Sequence, residues 1–262
     1  MKINHFRQCF NYKLHNLAIP SLFFIGVFVV ARFGLPLLVY WLAGETASIT
    51  FTFSGNFNQL SLLSLTYLFS LAIFLFVGGV ASFREEFNHL LAMNNTRLNQ
   101  FRAAQLAQVT VITGLTLLSA VFGVIEQLLD SALKGESALS EFGWLYETGG
   151  AAVFIGQWLS GLALFWAIFI AAFAFGEMAG TLAYRIGRAF ILPFWICFGL
   201  MFVLIPILST GNSRFMLFMS WYFGGGAENI YLGAAWHFLL TAILFKAISL
   251  LAIRRVPQKT AS

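Results

Sequence analysis

The chain is expected to be an all-α integral membrane protein with six transmembrane helices. Three observations carry that expectation. The 262 residues are 60% hydrophobic and only 10% charged, whereas a soluble domain carries about 25% charged residues. Uncharged apolar runs recur, each near or above the ~20 residues that a helix needs to cross a bilayer. The basic residues gather in alternate connections between those runs.

In order, the expected spans are about 17–43, 60–82, 106–129, 150–176, 189–210 and 230–253 of a single transmembrane domain, 1–262. The first run is too long for the core of a cleaved signal peptide, and reads as a retained span. With the N-terminus inside, the inner segments hold Lys2, Arg7, Lys13, Arg84, Arg97, Arg102, Arg185, Arg188, Arg254, Arg255 and Lys259. The outer loops hold only Lys134 and Arg214. Positive charge marks the cytoplasmic side, so both termini are expected there. The pI near 9.4 follows from this bias. No basic stripe with stacking aromatics accompanies it, so nucleic acid is not an expected partner.

Residues 1–16 precede the first span. Ile3, Phe6, Phe10, Leu14 and Leu17 recur at three- and four-residue steps with basic residues between them. That spacing predicts an amphipathic helix lying in the inner headgroup layer, with membrane lipid as its partner. Cys9 and Cys197 have neither disulfide nor metal-ligand spacing and read as structural. Thirty-one Phe and seven Trp suit lipid-facing and interfacial positions.

The connection between the second and third spans is unlike a plain solvated loop. In "FREEFNHLLAMNNTRLNQFRA", Phe83, Phe87, Leu90 and Leu91 make one helical stripe, and Glu85, Glu86 and Asn88 point elsewhere. Asn94 and Asn95 tolerate the left-handed conformation that ends a helix. Thr96 is placed to cap the next one. A stripe on the inner side needs cover, either from lipid headgroups or from a partner protein.

This layout resembles the membrane subunits of ABC-2 type transporters, bacterial permeases whose partner is a separate ATPase. Members have an N-terminal interfacial helix, six spans and a cytoplasmic coupling helix between spans 2 and 3. That helix often contains an acidic pair with Phe, a Leu pair, and an Asn-Gly-x-Ser-Arg turn. Here Glu85, Glu86, Phe87, Leu90 and Leu91 match, followed by "MNNTR". Asn94 stands at the Gly position, Thr96 at the Ser position, and Arg97 matches. A second likeness is "GEMAGTLAYRIGRAF", where Tyr184, Arg185 and Gly187 fit a Tyr-Arg-x-Gly stretch on the same side. The resemblance implies a permease subunit in the bacterial cell membrane, mostly of exporters, paired with a second copy or a sister permease. Glu85, Glu86, Phe87, Leu90, Leu91 and Arg97 would dock the ATPase, with Tyr184, Arg185 and Arg188 as secondary contacts. ATP and Mg would sit on that partner, and this chain would bind no cofactor and no metal.

Two checks bear on chemistry. A P-loop needs Gly-x-x-x-x-Gly-Lys-Ser/Thr, and none of the five lysines follows a glycine. His-Glu-x-x-His is absent, and Glu85, Glu86 and His89 lie at the edge of the expected membrane region. No catalytic role is therefore expected. Charges within spans are costly and mark function by default. Arg32 sits in the first span four residues before Pro36, which frees the Arg32 carbonyl. The two either line a translocation path or belong to a structural ion pair. Glu177, at the inner end of the expected fourth span, and Glu126 are the nearest acids by depth. Lys246 is expected to snorkel inward toward Arg254. Gly176 and Gly180 form a Gly-x-x-x-Gly that lets helices approach closely. Residues 214–226, "RFMLFMSWYFGGG", either dip into the outer leaflet, as in this transporter class, or form an interfacial loop.

Overall fold

The structure, a computed structural model, describes residues 2–30, 65–84, 97–134, 151–187, 190, 192–197, 199–200 and 213–254. Among them lie six helices: α1 Lys2–Val29, α2 Leu65–Arg84, α3 Arg97–Lys134, α4 Ala151–Ile186, α5 Ser213–Tyr222 and α6 Ile230–Arg254. Residues 192–197 are also helical. All regular structure among the described residues is helical, as in a helical membrane protein. Four helices are long and apolar enough to cross a bilayer, over Phe6–Val29, Leu98–Phe122, Trp158–Ile186 and Ile230–Ile253. In α2 the apolar stretch Ser70–Ala81 is shorter.

α4 is the centre. Its near side to α2 is made by glycines that bring backbone against backbone. A Cβ on Gly176 would lie 2.1 Å from the Phe76 carbonyl oxygen, and one on Gly180 2.7 Å from that of Val80. In return, a Cβ on Gly79 would lie 2.5 Å from the Phe173 oxygen. The pairs 76/176 and 80/180 advance together, so α2 and α4 are parallel. The Gly-x-x-x-Gly read from the sequence thus finds its partner in α2. On another side, Ala171 and Ala174 pack with Ala242 of α6, flanked by Ile170, Phe238 and Phe245. That register makes α6 parallel to α4 as well. The chain between Ile186 and Ile230 therefore has to travel back along the bundle.

α3 runs antiparallel to α4. Trp166 Nε1 donates to Thr113 Oγ1 at 3.0 Å near one end, and Gln105 reaches Glu177 nearer the other. The main core lies between these helices and α1, with Ile25, Leu71, Leu75, Ile112, Leu115, Phe165, Phe169 and Phe173 buried together. Buried hydroxyls are satisfied within their own helices. Thr116, Ser119, Thr181 and Ser249 each donate to the carbonyl four residues back, a bond that needs no partner helix. Phe175 is the aromatic joint, with ring centroids 5.3 Å from Phe76, 5.8 Å from Phe194 and 5.2 Å from Phe245.

The N-terminal segment differs from its expected form. α1 is continuous across residues 16 and 17 and follows α3 in the same direction. Cys9 packs on Ala103, with Phe6, Phe10 and Tyr12 around them. Its buried line is Cys9, Lys13, Ser21 and Ile25, one position round from the expected stripe through Phe10 and Leu14. Part of the apolar face, Phe6 and Phe10, packs with Cys9 against Ala103 of α3. Cys9 is buried, as a structural cysteine should be, and Cys197 is exposed.

One end of the bundle gathers the starts of α1 and α3 and the ends of α2, α4 and α6. Arg7, Arg84, Arg97, Arg102, Arg185 and Arg254 lie on those end segments.

The glycine crossing sets the first prediction. Gly176→Ala should destabilise the protein by about 1–3 kcal/mol, because backbone cannot yield to the added methyl. Gly114→Ala, where a Cβ meets nothing within 4 Å, should leave stability unchanged or slightly raised. Denaturant unfolding in detergent micelles compares the two.

Candidate functional site

Most residues expected to dock a partner lie outside the described residues: Glu85, Glu86, Phe87, Leu90, Leu91 and Arg188. Arg32 and Pro36 lie outside them too, as does the Glu126 side chain. Arg97 opens α3, and Tyr184 and Arg185 sit on the last turn of α4, with Arg185 exposed. These three share the arginine-bearing end.

The structure instead draws together a polar cluster that the sequence reading missed. Glu177 is expected at the inner end of the fourth span, and α4 continues past it to Ile186, so that Glu177 lies within the apolar stretch. Nine residues of helix separate it from Ile186, about 13 Å at 1.5 Å per residue. Lys246, expected to snorkel, turns sideways and pairs with the Glu177 carboxylate. The Lys side chain is 17% exposed and the Glu side chain 5%.

Two amides complete the shell. Gln108 Nε2 donates to Glu177 Oε2 at 3.3 Å, and Gln105 Nε2 donates to Oε1 at 3.2 Å. The Lys246 ammonium donates to Gln108 Oε1 as well as to Glu177. It also lies 5.4 Å from the centre of the Phe173 ring, whose electron-rich face attracts a cation. Three helices are therefore tied at one level: α3 through Gln105 and Gln108, α4 through Glu177, and α6 through Lys246.

The local sequence explains the placement. On a helix, Glu177 is one step round from Gly176, so the face against α2 and the face carrying charge adjoin. Gln105 and Gln108, three apart, share one side of α3. The signal in the sequence was a carboxylate and an ammonium inside apolar runs. What hid the pairing is that its partner lies on another helix, α6.

At the other end, α5 and α6 form a helical hairpin. The last turn of α5 closes in a Schellman motif, with Gly225 N–H donating to the Ser220 oxygen at 2.7 Å and Gly224 N–H to that of Trp221 at 3.0 Å. Gly224 has φ +86°. Asn229 caps α6, its Oδ1 accepting from Leu232 N–H at 3.1 Å. The Tyr222 hydroxyl bonds Thr241 Oγ1 at 2.8 Å, and its carbonyl bonds His237 Nδ1 at 3.0 Å. Trp221 packs on the His237 ring at 4.2 Å. The end of α5 is thus level with the second and third turns of α6, inside the apolar stretch. Residues 214–222 of the 214–226 stretch are helical.

Among the described residues, no three His, Cys, Asp or Glu side chains group as metal ligands. The chain matches no protein-family model, and no curated protein or solved structure shows significant likeness to it.

Breaking a buried ion pair strands one charge, at about 3–5 kcal/mol, whereas removing both is often nearly neutral. Lys246→Met should lower stability by that amount, and the double variant Glu177→Leu with Lys246→Met should regain most of it. Unfolding in micelles measures both. At the hairpin, Gly224→Ala adds a methyl 2.1 Å from the Ile230 oxygen at a left-handed position that costs an L-residue about 1–2 kcal/mol. Gly226→Ala, at φ +90° in open space, should cost only the backbone term. Trp221 fluorescence reports the difference.

Proposed function

We propose that this chain is the membrane-spanning permease subunit of an ATP-driven ABC transporter, working as an exporter with a separate ATPase. The observation that carries this reading is the α5–α6 hairpin. A short apolar helix, α5, is joined to α6 through a glycine turn, which resembles the outer hairpin of ABC-2 permeases. The motif likeness over Glu85–Arg97 and around Tyr184 and Arg185 supports it. So does the arginine-bearing end, which the positive-inside rule assigns to the cytoplasm of a bacterial cell.

In this reading six spans cross the membrane and both termini are cytoplasmic. The chain pairs with a second copy or a sister permease. The ATPase docks on the coupling helix through Glu85, Glu86, Phe87, Leu90, Leu91 and Arg97, with Tyr184, Arg185 and Arg188 alongside. ATP and Mg belong to the ATPase, and this chain performs no catalysis. Coupling requires that the ATPase bind the inward- and outward-facing states unequally.

A second reading is a membrane protein that works without an ATPase, as a channel, a secondary carrier or an assembly factor. The buried Glu177–Lys246 pair favours a carrier, because intramembrane charges mark ion and proton paths in that class.

Purification in mild detergent from native membranes separates the two. The transporter reading expects a stoichiometric P-loop ATPase in the complex. Leu90→Glu with Leu91→Glu should reduce that co-purification at least ~10-fold, about 1.4 kcal/mol, with normal membrane insertion. A stable, monodisperse protein with no ATPase would favour the carrier reading.

A further inference from the structure

The helices that meet at α4 are joined by two unlike kinds of contact. Between α2 and α4 the joint is backbone on backbone at Gly79, Gly176 and Gly180. A displacement along that crossing drives main-chain atoms into each other, so the two helices move as one body. Between α4 and α6 the buried residues are small, Ala171 and Ala174 against Ala242, with Ile170, Phe238 and Phe245 packed around them. Alanines leave shallow ridges, and such a face offers little resistance to sliding. Ring contacts such as Phe175 with Phe245 are non-directional and re-form after a small shift.

Lys246 supplies a directional contact at this joint: its side chain is mostly buried, and it donates to Glu177 of α4 and Gln108 of α3 at once. Glu177 in turn accepts from Gln105 and Gln108. Moving α6 by one turn would withdraw the ammonium from all of these groups. A buried pair of this kind is poor value for stability alone, since apolar side chains of similar volume usually do as well. Its physical distinction is that it defines one register and penalises every other.

We propose that Lys246 is a latch: its bonds to Glu177 and Gln108 hold α6 in register with α4 and α3, and their release lets α6 shift along the alanine face of α4 while α2 and α4 stay joined. The latch depends on the helical bundle and not on an ATPase partner, so it stands or falls separately from the transporter reading.

Spin-label distances test it, in full-length protein carrying Cys9→Ala and Cys197→Ala and reconstituted in lipid nanodiscs. One label pair, Ile186→Cys with Leu251→Cys, spans α4 and α6 at exposed positions. The control pair, Ala81→Cys with Ile186→Cys, spans α2 and α4. With Lys246→Met, the α4–α6 distribution should gain a second population displaced by about 5 Å, one helical turn, and the α2–α4 distribution should not change. The swap Glu177→Lys with Lys246→Glu should restore the single population. An unchanged α4–α6 distance in Lys246→Met would overturn the latch. So would both distances changing together, which marks a pair that merely holds the fold, or a swap that behaves like Lys246→Met.

Discussion

A carboxylate inside an apolar bundle has to be compensated by the protein, because no water is at hand to do it. Glu177 is that carboxylate, and the arrangement of α3, α4 and α6 follows from its needs. Its two oxygens take donors from Gln105, Gln108 and Lys246. Those donors come from two other helices, so a local requirement becomes a long-range constraint. The level at which the three helices meet is the level of this charge.

Around that point α4 presents a different chemistry on each side. Glycines at 176 and 180 admit the α2 backbone. Alanines at 171 and 174 admit α6. Trp166 and the phenylalanines 165, 169 and 173 fill the core shared with α3 and α1. In lipid the tails are as apolar as leucine, and helices gain little from burying grease against grease. Close packing by small residues and satisfied polar groups supply the specificity instead, and α4 has both.

The two ends of the bundle differ in composition. Tyr184 and Arg185, on the last turn of α4, lie at the arginine-bearing end. The opposite end holds the α5–α6 hairpin, whose glycine turn, asparagine cap and Tyr222–Thr241 bond keep a ten-residue helix tucked beside the last span. Between them lies the Glu177–Lys246 level, about 10–15 Å from the arginine-bearing end by helical rise. A bundle that responds at one end to events at the other has to transmit through that level.

By itself the sequence determined the class of protein. Composition and long apolar runs dictated helices in a membrane, and small residues at 176 and 180 announced a close crossing. These features are local, and local spacing expresses them. Only the tertiary structure decided what each face meets. Lys246 reads as a snorkelling lysine because it lies about two turns from Arg254, and a linear count holds no record of Glu177 on another helix. Amphipathicity says that the N-terminal stripe must be covered and not by what, and Phe6 and Phe10 pack about Cys9 and Ala103. The fourth span, read over 150–176, lies within a helix that continues to Ile186, and the Glu177 carboxylate is paired by Lys246 of another helix.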